Sequence, residues 1–501
     1  MEDALPGTLR RIQPRIAFRV VGIALGLVFT SAFLYFAVTS RLVDLAVYRL
    51  GGAAVLDGAD PYARLQPDSG LPFTYTPFAA ALFAPISLPP PWVAQTLWTT
   101  ALLVSLYFFG AVSMDAVSMD AVSMDAVSMD AVSNEAVRPQ PRSDRRGRIL
   151  THGAVAGFAL LLEPVRNTFS FGQINTILAL MIMIDLFGRL RLLPRGTLVG
   201  IAAGIKLTPL IFLPYLLCVG RWRDAVTGTA AFCVTVAVGF AVSAGPSTTF
   251  WTHTMLDADH VGGVPYVGNQ SLLGVLSRLL AGQDQAQPLY LPIAGLLLVA
   301  GLAAAVFLCR TGQPLLGAST CALTGLLVSP VSWSHHWVWL VPLLLCLFTD
   351  PARPPWGRAA ALTGYALAAL APIWWVPRGD NVEFTHNAWQ TACANSYFVA
   401  ALGLLASLLL FCWRRLSRSR RGWGDPHCAD PYGADPYGAD PYGVDPNGVD
   451  PNDGAPHGGA QEAVTCRRSR LRGRGLTVPG GGADGGTKVD GGTGAGEGGR
   501  Q

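Results

Sequence analysis

The chain alternates between long apolar blocks and short polar connections. Val20–Val38, Trp92–Val112, Ala225–Ala244, Leu289–Cys309, Leu316–Val328, Trp337–Phe348, Ala359–Val376 and Tyr397–Trp413 carry no charged residue. A helix needs about 20 such residues to cross the roughly 30 Å hydrocarbon core of a bilayer. Several blocks reach that length, and the shorter ones approach it with their uncharged flanks. The pattern predicts an all-α protein that crosses a membrane many times. The first block is too long for a signal peptide and ends without a small-residue cleavage site, so it reads as a retained anchor.

Composition sharpens this picture. Of 501 residues, 51% are apolar and 14% charged, which excludes a water-soluble protein of this length. The basic residues gather in three clusters: Arg10, Arg11, Arg15 and Arg19; Arg138, Arg142, Arg145, Arg146 and Arg148; and Arg414, Arg415, Arg418, Arg420 and Arg421. Cytoplasmic connections are enriched in such residues, so all three clusters are expected inside. Arginines abutting spans are poor candidates for binding nucleic acid. Span order then gives about twelve crossings. Ser40–Pro91 falls outside, with helices over Ala46–Leu56 and Tyr75–Ile86 lying on the surface. An outward turn is expected over Leu162–Thr176. Gly196–Ile205 and Leu210–Val219 form a hairpin, with Lys206 and Pro209 at its outer tip. The expected organisation is a cytoplasmic N-terminus (1–15), a membrane domain (16–413) and a cytoplasmic tail (414–501).

Two segments are repetitive. Residues 111–130 are AVSMD four times, followed by a decayed copy to Glu135, and Ala429–Asp453 begins with ADPYG three times. Slippage of a short coding repeat accounts for both. The first is expected to be an insertion in a cytoplasmic connection, and neither is expected to build a packed core. The Gly-rich tail is expected to be disordered. The nine cysteines form no CxxC pair and lie mostly within apolar blocks, so neither a metal site nor a disulfide is implied.

On this topology the unusual polar residues fall on one side. Ionisable groups near hydrocarbon are costly and mark functional paths. Asp44, beside Leu42, Val43 and Leu45, reads as a partly desolvated general base or as an interfacial anchor. Lys206 and Lys488 are the chain's two lysines. Lys206 suits a point charge facing phosphate, or a side chain snorkelling to head groups. His335 and His336 are adjacent, so in an α-helix they point about 100° apart and one of the two should face a pocket. Trp333, Trp337 and Trp339 suit an interfacial belt or a sugar-stacking face.

Several stretches together resemble glycosyltransferase family 87. They are DLAVYRLGGAAVLDGADPYA (Asp44–Ala63), LPFTYTPFAAALFAP (Leu71–Pro85), FGQINTILAL (Phe171–Leu180), GIAAGIKLTPLIFLPYLL (Gly200–Leu217), GNQSLLGVLSR (Gly268–Arg278) and SPVSWSHHWVWLVPLL (Ser329–Leu345). Thr76 stands where the family usually has a second proline. The resemblance implies a GT-C helical bundle with surface helices in its first outer loop. It also implies transfer of mannose or arabinose, at the outer face of the plasma membrane, from a polyprenyl-phosphate sugar to a glycolipid or lipoglycan acceptor. Asp44 would be the base, and His335 or His336 would be catalytic. Lys206 and Arg166 would meet the donor phosphate. Arg49, Tyr75, Gln173, Asn175, Asn269 and Gln270 would contact substrate. No cofactor is implied, and a lipid-linked donor does not require the DxD form seen at Asp257–Asp259. The competing reading is a transporter of lipid-linked sugars, which predicts paired broken helices in inverted repeats; none is evident in the sequence.

Overall fold

The computed structural model describes residues 7–129, 145–188, 193–257 and 262–422. They form eighteen α-helices linked by short 3₁₀ turns. Among the described residues there is no strand, only isolated bridges of Leu65 with Pro72 and of Asn269 with Trp333. The ADPYG repeats and the tail beyond residue 422 lie outside the described residues.

Helix α1 (Gly7–Thr39) is followed by α2 (Val43–Leu56) and α3 (Pro77–Ser87), close to the two helices expected in that connection. Next come α4 (Pro91–Met129), α5 (Arg145–Ala159), α6 (Glu163–Phe171) and α7 (Asn175–Phe187). Helices α8 (Thr197–Ile205) and α9 (Phe212–Cys218) flank Lys206, as the apolar pattern predicts. The chain continues through α10 (Trp222–Val242), α11 (Ala244–Thr252), α12 (Leu272–Leu279), α13 (Gln283–Arg310) and α14 (Pro314–Val328). It ends with α15 (Leu340–Thr349), α16 (Gly357–Leu370), α17 (Ala388–Ala394) and α18 (Ser396–Gly422).

By length and apolar composition five stretches suffice to cross a bilayer: Ile16–Thr39, Pro91–Ser118, Trp222–Val242, Gln283–Arg310 and Ser396–Arg418. The pair α5 and α6, bent by 82°, makes a sixth if taken as one broken span. The protein is a polytopic, all-helical membrane protein. Twelve full-length spans are not present among the described residues. The other apolar stretches (Pro77–Ser87, Asn175–Phe187, Thr208–Cys218, Pro314–Val328 and Ser334–Thr349) are helices of 10–17 residues. At 1.5 Å per residue they reach only about 15–26 Å.

Two expectations change. The stretch expected to be a turn at Leu162–Thr176 holds a helix of its own, α6, which starts at Glu163–Pro164, where proline suits the first helical turn. It ends at Gly172, whose φ of 74° is the left-handed cap. The first repeat also does more than expected. α4 runs unbroken from the apolar block into the AVSMD copies. Ala111, Ser113, Ala116 and Val117 are buried, and Ala116 and Val117 belong to a hydrophobic core. Alanine and valine at the start of the repeat extend the apolar face of α4 by another two turns.

The core has two parts. One gathers Leu106, Phe109, Phe169, Leu327, Trp337 and Leu347, from α4, α6, α14, α15 and the turn before α15. The other gathers Tyr48, Phe73, Phe83, Ile182, Phe212 and Leu216, from α2, α3, α7 and α9 and the connection before α3. Close approach between helices depends on small residues. A Cβ on Gly157 of α5 would lie 1.8 Å from the carbonyl oxygen of Gly22 in α1. At Thr76 the departure from the family's proline has a local use. Its hydroxyl accepts from Ala79 N (3.1 Å), capping α3 directly before Pro77.

Candidate active site

The second core forms one side of a cavity of about 890 Å³. The cavity is lined by Asp44 and Tyr48 from α2, Tyr75 before α3, Gln173 after α6, Lys206 and Thr208 between α8 and α9, and His335 and His336 before α15. Apart from Tyr48, which follows Asp44 by one turn inside α2, each is delivered by a break or an end of a helix. Asp44 lies in the first turn of α2. Gly172 does two things for Gln173: it ends α6, and its missing side chain admits α2. A Cβ there would lie 3.0 Å from Leu45 Cβ and 3.1 Å from Leu42 Cβ. Lys206 leaves the end of α8 in extended conformation (φ −142°, ψ 130°) shortly before Pro209 opens a 3₁₀ turn.

A hydrogen-bond network joins Tyr48, Tyr75, Gln173, Lys206 and His336. The phenol oxygens of Tyr48 and Tyr75 are 2.8 Å apart, and each donates to Gln173 Oε1 at 3.0 Å. With its carbonyl oxygen occupied by two phenols, the Gln173 side chain lines the cavity together with Asp44 and favours its ionised carboxyl. At the other end, Lys206 Nζ donates to Asn175 Oδ1 (3.0 Å) and to Tyr75 OH (3.4 Å), and lies 2.9 Å from His336 Nε2. A protonated lysine has only donors, so His336 accepts there. Burial raises the Asp44 carboxyl to about 6, against the lowering effects of Gln173 and the Lys206 charge. Burial lowers the Lys206 ammonium to about 7, opposed by Asp44. The site thus pairs one carboxylate fit to take a proton near neutrality with one cation. Among the described residues that line the cavity, Lys206 is the one lysine or arginine.

Both histidines line the cavity, contrary to the expectation that one would turn away. Ser334–Trp339 is a 3₁₀ turn rather than α-helix, and the two rings sit 4.9 Å apart, nearly perpendicular. The segment is held by backbone bonds from Gln270 N to Ser332 O and from Ser334 N to Gly268 O, both 2.8 Å. Asn175 Nδ2 donates to His335 O at 2.8 Å.

Not every expected site residue is in the cavity. Asn175 is buried beside it and holds Lys206 and His335 in place. Arg49 donates to the carbonyls of Ile86 (2.9 Å) and Ser87 (3.4 Å), tying α2 to the end of α3. Arg166 donates to Ala369 O at 3.0 Å. Asn269 and Gln270 are fully buried. Asn269 accepts from Ser332 N (2.9 Å) and donates to Val264 O (3.0 Å), while Gln270 donates to Val267 O and Ala394 O, both 2.6 Å. In this arrangement Arg49, Arg166, Asn269 and Gln270 are away from the cavity, because their polar atoms are spent on backbone partners. Tyr48, which the sequence reading passed over, is central. It lies four residues after Asp44, on the same face of α2. Among the described residues no three His, Cys, Asp or Glu side chains assemble as a cation site.

The sequence pattern of glycosyltransferase family 87 matches residues 73–330. A polyprenol-phosphate-mannose-dependent alpha-(1-2)-phosphatidylinositol mannoside mannosyltransferase of Mycobacterium tuberculosis is 33% identical over 82% of this chain and 94% of its own length. The protein of the same description in Mycolicibacterium smegmatis is 34% identical over 77% of this chain and 86% of its own. A phosphatidylinositol pentamannoside mannosyltransferase of M. smegmatis is 32% identical over 76% and 87%. No solved structure matches the chain significantly. The match takes in Tyr75, Gln173 and Lys206 from one side of the cavity, and the similarity to the relatives extends well beyond it: this chain belongs to glycosyltransferase family 87.

Proposed function

We propose that the protein transfers mannose, in α-(1→2) linkage, from a polyprenyl-phosphate mannose to a hydroxyl of a phosphatidylinositol mannoside or related glycolipid. The observation that carries this reading is that Asp44 and Lys206 line one cavity of a family 87 chain, with Lys206 held by the network of Tyr75, Gln173 and Tyr48 beside Asp44. The names of the relatives supply the donor and acceptor classes.

The chemistry is an inverting single displacement. The acceptor oxygen gives its proton to Asp44 and forms a bond to the anomeric carbon. The bond from that carbon to the phosphate oxygen breaks on the opposite side, and the prenyl phosphate leaves with the electron pair. A phosphate needs no proton to depart, so one base and one cation suffice: Asp44 acts on the acceptor and Lys206 neutralises the leaving group. His336, which accepts from Lys206, aims the ammonium.

The membrane setting belongs to the same proposal. The protein sits in the plasma membrane as a GT-C bundle, with the short helices around the site completing about twelve crossings and the arginine clusters inside. The cavity faces out, the N-terminus (1–15) and the tail (414–501) are cytoplasmic, and 16–413 is the transferase domain. The test is a membrane assay offering each polyprenyl-phosphate sugar in turn, with linkage analysis of the product. An α-(1→2)-mannosyl product from the mannosyl donor is expected. Transfer of arabinose alone, or movement of donor across the bilayer without transfer, overturns the reading.

A further inference from the structure

The Lys206 network occupies part of the cavity. A second set of lining residues lies outside that network: Gly262, Tyr266, Trp333, Asp380 and Glu383. The aromatic members are built rigidly. Trp333 is fixed through its backbone bridge to Asn269. One edge of its indole lies against Gly262, where φ is +125° and a Cβ would come within 3.0 Å of the ring. Tyr266 meets Trp333 edge-to-face at 6.2 Å and packs against Trp374 at 6.3 Å. Its backbone carbonyl accepts from Arg278 at 3.0 Å, and Trp374 is anchored by donating to Glu163 at 2.8 Å. Yet Trp333 and Tyr266 are only half-buried, so part of each ring is presented to the cavity.

Charge decides what fits there. Among the described residues no lysine or arginine lines this part of the cavity, which carries Glu383 and Asp380. Glu383 is buried and is held by Gly379 N, which donates to its Oε1 at 2.8 Å. A phosphate has no partner in such surroundings and is drawn to Lys206. A neutral ring with an apolar C–H face and a rim of hydroxyl donors suits both parts: the face lies on the aromatics, and the hydroxyls donate to the carboxylates. The cavity volume is at the upper end for small-molecule sites and leaves room for a second sugar beside the donor's.

We propose that Trp333 and Tyr266 form a hexose subsite that seats the terminal sugar of the acceptor. The proposal rests on the transferase reading above, which sets the substrate classes. Rings of the acceptor and of the donor share this chemistry, and the experiment separates them. Equilibrium binding of a phosphatidylinositol mannoside in detergent, without donor, is measured for wild type, Trp333→Ala, Trp333→Phe and Tyr266→Leu, and binding of polyprenyl-phosphate mannose is measured in parallel. Loss of an aromatic face is expected to weaken acceptor binding about tenfold in Trp333→Ala and several-fold in Tyr266→Leu. Trp333→Phe retains most of the affinity, and donor binding stays within twofold throughout. In turnover assays the same variants raise the acceptor KM while kcat at saturating acceptor is largely kept.

Unchanged acceptor binding in Trp333→Ala overturns the subsite, as does a loss confined to the donor. If Trp333→Ala does not insert, Tyr266→Leu alone decides in the same way. Acceptor binding needs no turnover, so a wild-type protein that binds the mannoside through Trp333 but transfers no mannose would sink the transferase reading and leave the subsite standing. A protein that transfers mannose with Trp333→Ala binding acceptor normally would do the reverse.

Discussion

Two polar networks sit within this membrane protein, and they differ in one respect. The network of Gln173, Tyr48, Tyr75, Lys206 and His336 borders a cavity that Asp44 also lines. The network around Glu163, Asn269, Gln270 and Arg278 is closed. Glu163 accepts from Ser334, Trp374 and Tyr397, and Arg278 donates to Asn395 and to the carbonyls of Pro265, Tyr266 and Asn269. Both are made of residue types that are costly to bury. The closed network spends its polar atoms on holding loops together, whereas the open one keeps a carboxylate and a cation available for a ligand. Substitutions in the two should therefore fail differently, one in chemistry and the other in folding.

The sharpest test is Asp44→Asn. Asparagine keeps the size and part of the hydrogen bonding but takes no proton, so transfer is expected to fall about 10²–10⁴-fold with normal insertion and donor binding. A near wild-type rate in purified protein would remove Asp44 as the base. Lys206→Ala comes next. Loss of a charged hydrogen-bonding partner is expected to weaken polyprenyl-phosphate binding by about 10–100-fold, alongside a fall in turnover. Donor binding equal to wild type would place the phosphate elsewhere.

The pH dependence follows from the same pair. Asp44 must be ionised, so kcat/KM should fall as pH drops through about 6. Lys206 must be charged, so it should fall again as pH rises through about 7. The expected profile is a narrow bell with limbs changing up to about tenfold per pH unit. Asp44→Asn should erase the acid limb from the residual activity, and persistence of that limb would assign it to another group. In the closed network, Asn269→Ala strands the Ser332 amide and should cost about 1–3 kcal/mol of stability. That is read as a lower melting temperature in detergent, with kcat of the folded fraction unchanged. Loss of kcat at unchanged stability would erase the distinction between the networks. The smallest effect is expected from deleting 121–135, which removes three repeat copies and leaves the buried residues of 111–117 in place. Deleting 111–135 instead should impair insertion or stability, measured as yield of monodisperse protein.

The apolar pattern made the helical blocks legible, and charge placement made Asp44 and Lys206 visible as an improbable pair. Whether a polar residue faces a ligand or a carbonyl was not legible from its type. Arg49 and Asn269 look like site residues in sequence because the cost of burying them is real, but the compensation is backbone. Tyr48 was legible in principle, through its four-residue spacing from Asp44. The pairing of both histidines was not, since it depends on a 3₁₀ turn whose entry is held by Gly268 and Gln270, far from it in the chain. The lengths of the spans were hidden for a related reason: helices that end at a functional site are short, and an apolar block does not reveal where its helix stops.

The repeat on α4 has a consequence for how the gene tolerates copying errors. Each AVSMD unit adds about 7.5 Å of helix and a net turn of about 140°. Inserting a unit inside the packed part of an ordinary helix would swing everything after it off its contacts. Here the units are identical, so a gained copy is indistinguishable from one appended at the far end, and the residues occupying positions 111–117 stay the same whatever the copy number. The buried face of α4 is thereby indifferent to expansion, and copy number is free to drift upward without disturbing the core that the first units complete.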